Sequence, residues 1–123
     1  MKVLIITPIY LPEQAPISHL LADTAEGLAR RGHSVEIVTG IASWLLEGDA
    51  ETSSLEFCVE KTVNGNIYRL PFIKRASNRL FDKLLGYFRL RILANRYKNR
   101  FTKPDVIYAP VPSNETGMAA RAL

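Results

Sequence analysis

The chain has 123 residues, 47% of them hydrophobic and 23% charged, with a net charge of +4. That length supports one core burying roughly two-thirds of the surface an unfolded chain exposes, with no need of a metal or disulfide; the balance excludes a disordered tail and a pair of domains. The charge is unevenly placed: residues 1–73 carry five Lys/Arg against nine Asp/Glu, whereas residues 74–103 carry ten against Asp82 alone.

Val3 to Thr7 is a continuous apolar run, the pattern of a strand buried on both faces of a parallel sheet. It stops at Thr7-Pro8 with no small-residue cleavage site behind it, and so reads as a first strand and not as a signal peptide. After a Pro-rich loop to Pro16, apolar residues at Ile17, Leu20, Leu21, Thr24, Ala25 and Leu28 predict an amphipathic helix. Arg30 and Arg31 complement its carboxyl end, and Gly32 supplies a left-handed cap. Val35 to Thr39, ended by Gly40, completes a strand-helix-strand unit, which favours a right-handed parallel arrangement.

Residues 41–56 read as a loop. Strands predicted over 57–63 and 66–72 flank Asn64-Gly65, a hairpin signal. From Asn78 to about Arg100, the residues Phe81, Leu84, Leu85, Phe88, Ile92 and Leu93 predict a long helix with an apolar stripe and basic residues on its remaining faces, one that either lies on an anionic leaflet or docks on the sheet with its charges in water. Asp105 to Ala109 is a further short strand, and Ser113 or Asn114 can cap a last helix. Uncharged runs at 3–12 and 37–46 fall short of the ~20 apolar residues that a membrane-spanning helix needs. The lone Cys58 is expected to be a small core residue of a reducing, cytosolic protein. The fold expected is α/β: a Rossmann-like, doubly wound, mainly parallel sheet with a β-hairpin. Ligands then bind beyond the carboxyl ends of the strands, at the loops 8–18, 40–49 and 110–114.

No glycine occurs before Gly27, so a dinucleotide-binding turn after the first strand is not expected, and no Walker loop is present. Two histidines, one cysteine and scattered carboxylates give no ligand spacing, and no metal is expected.

The segments Lys2 to Glu13 and Leu20 to Thr39, with the step Tyr10-Leu11-Pro12-Glu13 and the turn Arg31-Gly32-His33-Ser34-Val35, resemble the opening of family 4 glycosyltransferases of the GT-B fold. Ile67 to Pro71 resembles the family's strand before its long helix, and Lys103 to Tyr108 its Pro-Asp-Val strand. Ala109 to Gly117 is similar to the Pro-rich exit of the colanic-acid-type subgroup. The likeness runs through nearly all of the chain and is weakest over 41–60. It implies that residues 1–123 form the N-terminal, acceptor-side half of a GT-B enzyme, truncated at its carboxyl end. Such an enzyme transfers a sugar from a nucleotide sugar to a polysaccharide or lipid-linked acceptor, generally without a metal or other cofactor. The nucleotide is held mainly by a second, C-terminal domain, absent here or supplied by another chain, so the isolated chain is expected to be inactive.

On the acceptor side the resemblance points to Glu13, Gln14, Ala15, Pro16, Ser18, His19, Trp44, Ser113 and Asn114. Each has a plainer reading as well. Glu13 and Gln14 can bind acceptor hydroxyls or be solvated loop residues, and Trp44 can stack on a sugar or anchor a loop. Ser113 and Asn114 can cap a helix or present its N-terminus to a hydroxyl or oxyanion. Ala15-Pro16 stands where many relatives have Gly-Gly, and Pro16 offers no N–H to a donor phosphate. His19 sits one position earlier than the histidine of some relatives, Pro110 replaces another, and no catalytic base is assigned. His33 reads as closing the helix-to-strand turn.

Arg75, Arg79, Lys83, Arg89, Arg91 and Arg96 suit an anionic membrane surface, placing the protein in the cytoplasm against the inner face of the cell membrane. Nucleic acid is not expected, because no aromatic residues interleave with the basic ones. The alternatives to a transferase half are a non-catalytic membrane-surface module and a Rossmann-like domain binding a small anion.

Overall fold

Four consecutive buried residues, Val3 to Ile6, are accommodated only by a strand with packed layers above and below it, and that strand becomes the centre of the molecule. The computed structural model describes residues 1–12, 14–40, 56–71, 80–110, 119–121 and 123, without the side chains of 81–87. The elements in chain order are β1 (Lys2–Ile6), α1 (Pro16–Arg30), β2 (Ser34–Gly40), β3 (Cys58–Thr62), β4 (Gly65–Leu70), α2 (Leu80–Tyr97) and β5 (Val106–Tyr108). They form a five-stranded sheet in the order β3-β4-β2-β1-β5. β1 runs parallel to β2 and β5, and β2 parallel to β4; only the β3–β4 hairpin is antiparallel.

Side-chain alternation along the strands divides the core in two. Val3, Ile5, Val35, Ile37 and Ile67 pack with Leu21 and Ala25 of α1, and Leu4, Ile6, Val38, Tyr68 and Leu70 pack with Leu90 and Ala94 of α2. The two helices therefore cover opposite faces, an α/β arrangement consistent with a Rossmann-like fold.

The end of α1 is as its sequence predicts. Gly32 has φ 87°, its N–H donates to Ala29 O at 2.9 Å, and His33 N–H donates to Leu28 O at 3.2 Å. This pair of bonds is a Schellman closure. His33 Nδ1 lies 3.3 Å from the amino group of Met1, at the sheet's amino end.

Four details differ from the sequence expectation. Leu20 is exposed, because α1 turns Ser18, Leu21 and Ala25 to the sheet. The hairpin turn is Val63-Asn64, with Thr62 paired to Gly65, so Gly65 opens β4 and is not part of the turn. Cys58 is exposed on the edge strand β3 and is not a core residue. Partial desolvation of the thiol and the neighbouring Glu60 carboxylate nevertheless push it above its ordinary value, opposed by Arg69.

The fourth concerns α2. Its sheet-facing residues are Leu90 and Ala94, flanked by the half-buried Leu93 and Tyr97, whereas Phe88 and Ile92 of the predicted apolar stripe are exposed, so the stripe is divided between two faces. The aromatic side chains under its carboxyl end explain the choice of face. Tyr97 stacks on Phe57 at 4.6 Å, and Phe101 meets Tyr68 at 5.0 Å, which fixes the rotation of the last turns.

Glu36 joins this corner to the sheet. Its carboxylate accepts from the Tyr68 hydroxyl (3.1 Å), the Thr102 hydroxyl (2.8 Å) and Thr102 N–H (3.3 Å). Burial pushes the Tyr68 phenol above its ordinary value of 10.0, with the Asn66 amide opposing and the Glu36 carboxylate adding to the rise. Burial likewise raises Tyr10, opposed by Arg69. A phenol raised in the folded state contributes stability that is complete below the unfolded value and is lost as pH rises through the folded one. Ultraviolet titration of the folded chain is therefore expected to show these two phenols ionising last, together with a fall in melting temperature above about pH 10. Tyr68→Phe should remove one late transition.

Candidate functional site

The strand order locates a site before any side chain is considered. From β1 the chain moves through α1 to β2 and then to β4 on one side, whereas β5 returns to the other side of β1. The topology reverses between β1 and β5, and in open α/β sheets the crevice beyond the carboxyl ends of such a strand pair receives ligands. Here it is bounded by the loop from Thr7 to Ala15, the amino end of α1 and the exit of β5 at Ala109-Pro110.

The first loop is held in place from below. Thr7, 1% exposed, donates from Oγ1 to Ile9 O at 2.8 Å, and its own N–H bonds to Val38 O at 3.0 Å. Tyr10 is buried against α1 and the sheet. The Arg69 guanidinium, 2% exposed, donates to Leu11 O in the loop and to Gly40 O (3.2 Å) at the end of β2, and its Nε pairs with Glu60 on β3 at 2.6 Å. One buried fork thus ties the carboxyl ends of two strands and the hairpin to the loop after β1. Arg69 is not among the residues singled out from sequence. The signal is nevertheless there: a charge set within Ile67-Tyr68-Arg69-Leu70, a strand otherwise apolar enough to be buried, demands several partners.

At the amino end of α1, Pro16 occupies the first turn and Ala15 precedes it with no side-chain cap. Ala15 O accepts from Ser18 N–H at 2.9 Å, and no acidic residue lies in the first turn. Among the described residues, therefore, no carboxylate in the first turn compensates the positive end of the helix dipole. His19 is exposed, with Nε2 3.3 Å from Gln14 Oε1, so these two expected site residues are brought together. Ser18 is wholly buried, and its hydroxyl has no hydrogen-bond partner among the described residues; Thr39 at the end of β2 shares that condition. Of the other expected residues, Glu13, Trp44, Ser113, Asn114, Arg75 and Arg79 lie outside the described residues, as does the side chain of Lys83. Arg89, Arg91 and Arg96 are exposed on α2, on the face of the sheet opposite α1.

A cavity of about 430 Å³ opens between α1 and the hairpin, lined by Ile37, Ile67, Ala25, Glu60 and Arg69 and by Tyr10, Leu11 and Pro12 of the loop after β1. Among the described residues, the expected contacts Gln14, Ala15, Pro16, Ser18 and His19 do not line it. Among the described residues no three His, Cys, Asp or Glu side chains gather as a metal site, and no helix is long and apolar enough to cross a membrane.

Comparison with known protein-family models and with curated proteins gives no match. The chemistry therefore rests on the crevice itself: a braced loop of backbone groups, an amide–imidazole pair and an uncapped helix end. These are means of holding hydroxyl or anionic oxygens in place.

Proposed function

We propose that this chain is the acceptor-side domain of a GT-B glycosyltransferase, one that moves a sugar from a nucleotide sugar to a polysaccharide or lipid-linked acceptor. The observation that carries this reading is the reversal of strand order between β1 and β5, which sets the Thr7–Ala15 loop and the Gln14–His19 pair beside one crevice. The likeness of Lys2–Glu13, Leu20–Thr39 and Lys103–Tyr108 to family 4 supports it from the sequence side. In this reading Gln14 and His19 bind acceptor hydroxyls, and a C-terminal domain in the same or another chain grips the nucleotide. The basic segment 74–103, with its long helix, brings the domain to the cytoplasmic face of an anionic membrane, where such acceptors reside.

One observation favours a second reading, a binding module for a small anion. The amino end of α1, with no side-chain cap and no acidic residue in its first turn, is what a phosphate or carboxylate would complete. Saturation-transfer NMR on the isolated chain separates the two. Oligosaccharide acceptors are expected to bind, with loss of signal in Gln14→Ala/His19→Ala, and free nucleotide sugars are expected to bind weakly or not at all. Binding of inorganic phosphate with no response to any glycan would favour the anion module and contradict the transferase reading.

A further inference from the structure

α2 presents two apolar faces, of which the sheet uses one. Leu90 and Ala94 are fully buried, while Phe88 and Ile92, one turn apart on the opposite side, are 49% and 63% exposed. At about 100° per residue, Arg91 falls on one flank of the Phe88–Ile92 pair and Arg89 and Arg96 on the other. All three arginines are exposed. From Phe88 to Lys103 the sequence has six Lys/Arg and no Asp or Glu. Sheet packing does not require Phe88 and Ile92, and water does not favour them.

We infer that the outer face of α2 docks on an anionic bilayer, with Phe88 and Ile92 inserted among the acyl chains and Arg89, Arg91 and Arg96 paired to lipid phosphates. Charge selects the occupant. A second copy of this chain would bring the same cations face to face, whereas an anionic leaflet offers phosphates to both flanks and hydrocarbon to the strip between them. The inference does not depend on sugar transfer, since it uses only the face of α2 turned away from the sheet. It changes what the arginines alone imply, because attachment then has an apolar component that salt does not screen.

Sedimentation with phosphatidylcholine vesicles, with and without about one-third phosphatidylglycerol, tests it. The whole chain is expected to bind the anionic vesicles only and to stay partly bound at about 0.5 M salt, where charges are screened beyond a few ångströms. Phe88→Ser/Ile92→Ser should weaken partitioning about tenfold or more and abolish the salt-resistant fraction. Arg89→Gln/Arg91→Gln/Arg96→Gln should cost about fivefold per arginine. Both variants change exposed positions and are expected to melt as the parent does. In Phe88→Trp, the emission added to the Trp44 background should move to the blue on binding and be quenched by brominated acyl chains. Three results would overturn the inference: no binding to either vesicle, binding fully released by salt and unchanged in the serine variant, or a dimer in solution that the serine variant abolishes.

Discussion

Replacing Gly65 by alanine is expected to remove the cooperative unfolding transition, or to lower stability by more than about 4 kcal/mol. Gly65 opens β4 with φ 150°, and a Cβ placed there would stand 1.8 Å from the backbone carbonyl oxygen of Val35 in β2. That oxygen belongs to a central strand, held in register by β1 on its other side, so it has nowhere to move. Any side chain must push the hairpin off the sheet, breaking the β2–β4 pairing from Ile37↔Ile67 to Gly40↔Leu70. Gly27 provides the contrast. It lies inside α1, where an added methyl group would meet nothing within 4 Å, so Gly27→Ala should stabilise the chain by about 0.5–1 kcal/mol through helix propensity. Urea unfolding of the two variants side by side checks both signs, and a Gly65→Ala protein within about 1 kcal/mol of the parent would contradict the close approach.

The second large effect is expected at Arg69. Arg69→Met keeps much of the buried aliphatic stem but removes the donors that Leu11 O and Gly40 O share, and orphaning each costs about 1–3 kcal/mol. Glu60 is 47% exposed and returns to water cheaply, so the ion pair itself contributes little. A total loss of about 3 kcal/mol is expected in urea unfolding. Arg69→Lys should recover less than half of it, because one ammonium cannot span the three partners of a planar fork. Amide exchange at Ile9 should quicken more than at Leu4, since the first effect of the loss is a loosening of the loop after β1. Equal, small losses in both variants would show that the loop is held by Thr7 and Tyr10 alone.

What the sequence disclosed and what it hid follow one physical division. β1, β2 and α1 with its Gly32 closure are written in local patterns, an apolar run and a 3.6-residue rhythm ended by a glycine, and the structure has them within a residue or two of expectation. α2 is legible as a helix but not in its rotation. It has apolar residues on every side, from Leu80 and Phe81 round to Ala94 and Tyr97, so periodicity does not choose a face; the stacking of Tyr97 on Phe57 does. Asn64-Gly65 announces the hairpin, yet the reason for the glycine lies 30 residues away at Val35. Arg69 and Glu36 hold the structure through partners as distant as Leu11 and Thr102, and no window along the chain contains such pairs. Within the candidate site the same rule applies. Gln14 and His19 are neighbours in sequence and legible together, whereas the bracing of their loop by β4 is not.

The functional reading stands or falls on whether the crevice between the ends of β1 and β5 receives a glycan acceptor. Amide chemical-shift mapping of the isotopically labelled chain during titration with oligosaccharide acceptors decides it. Shifts confined to Thr7–His19 and Ala109, with the β3–β4 hairpin silent, are the expected result. Shifts centred on the β3–β4 hairpin with Gln14, His19 and Ala109 silent, or none with any glycan, would contradict it.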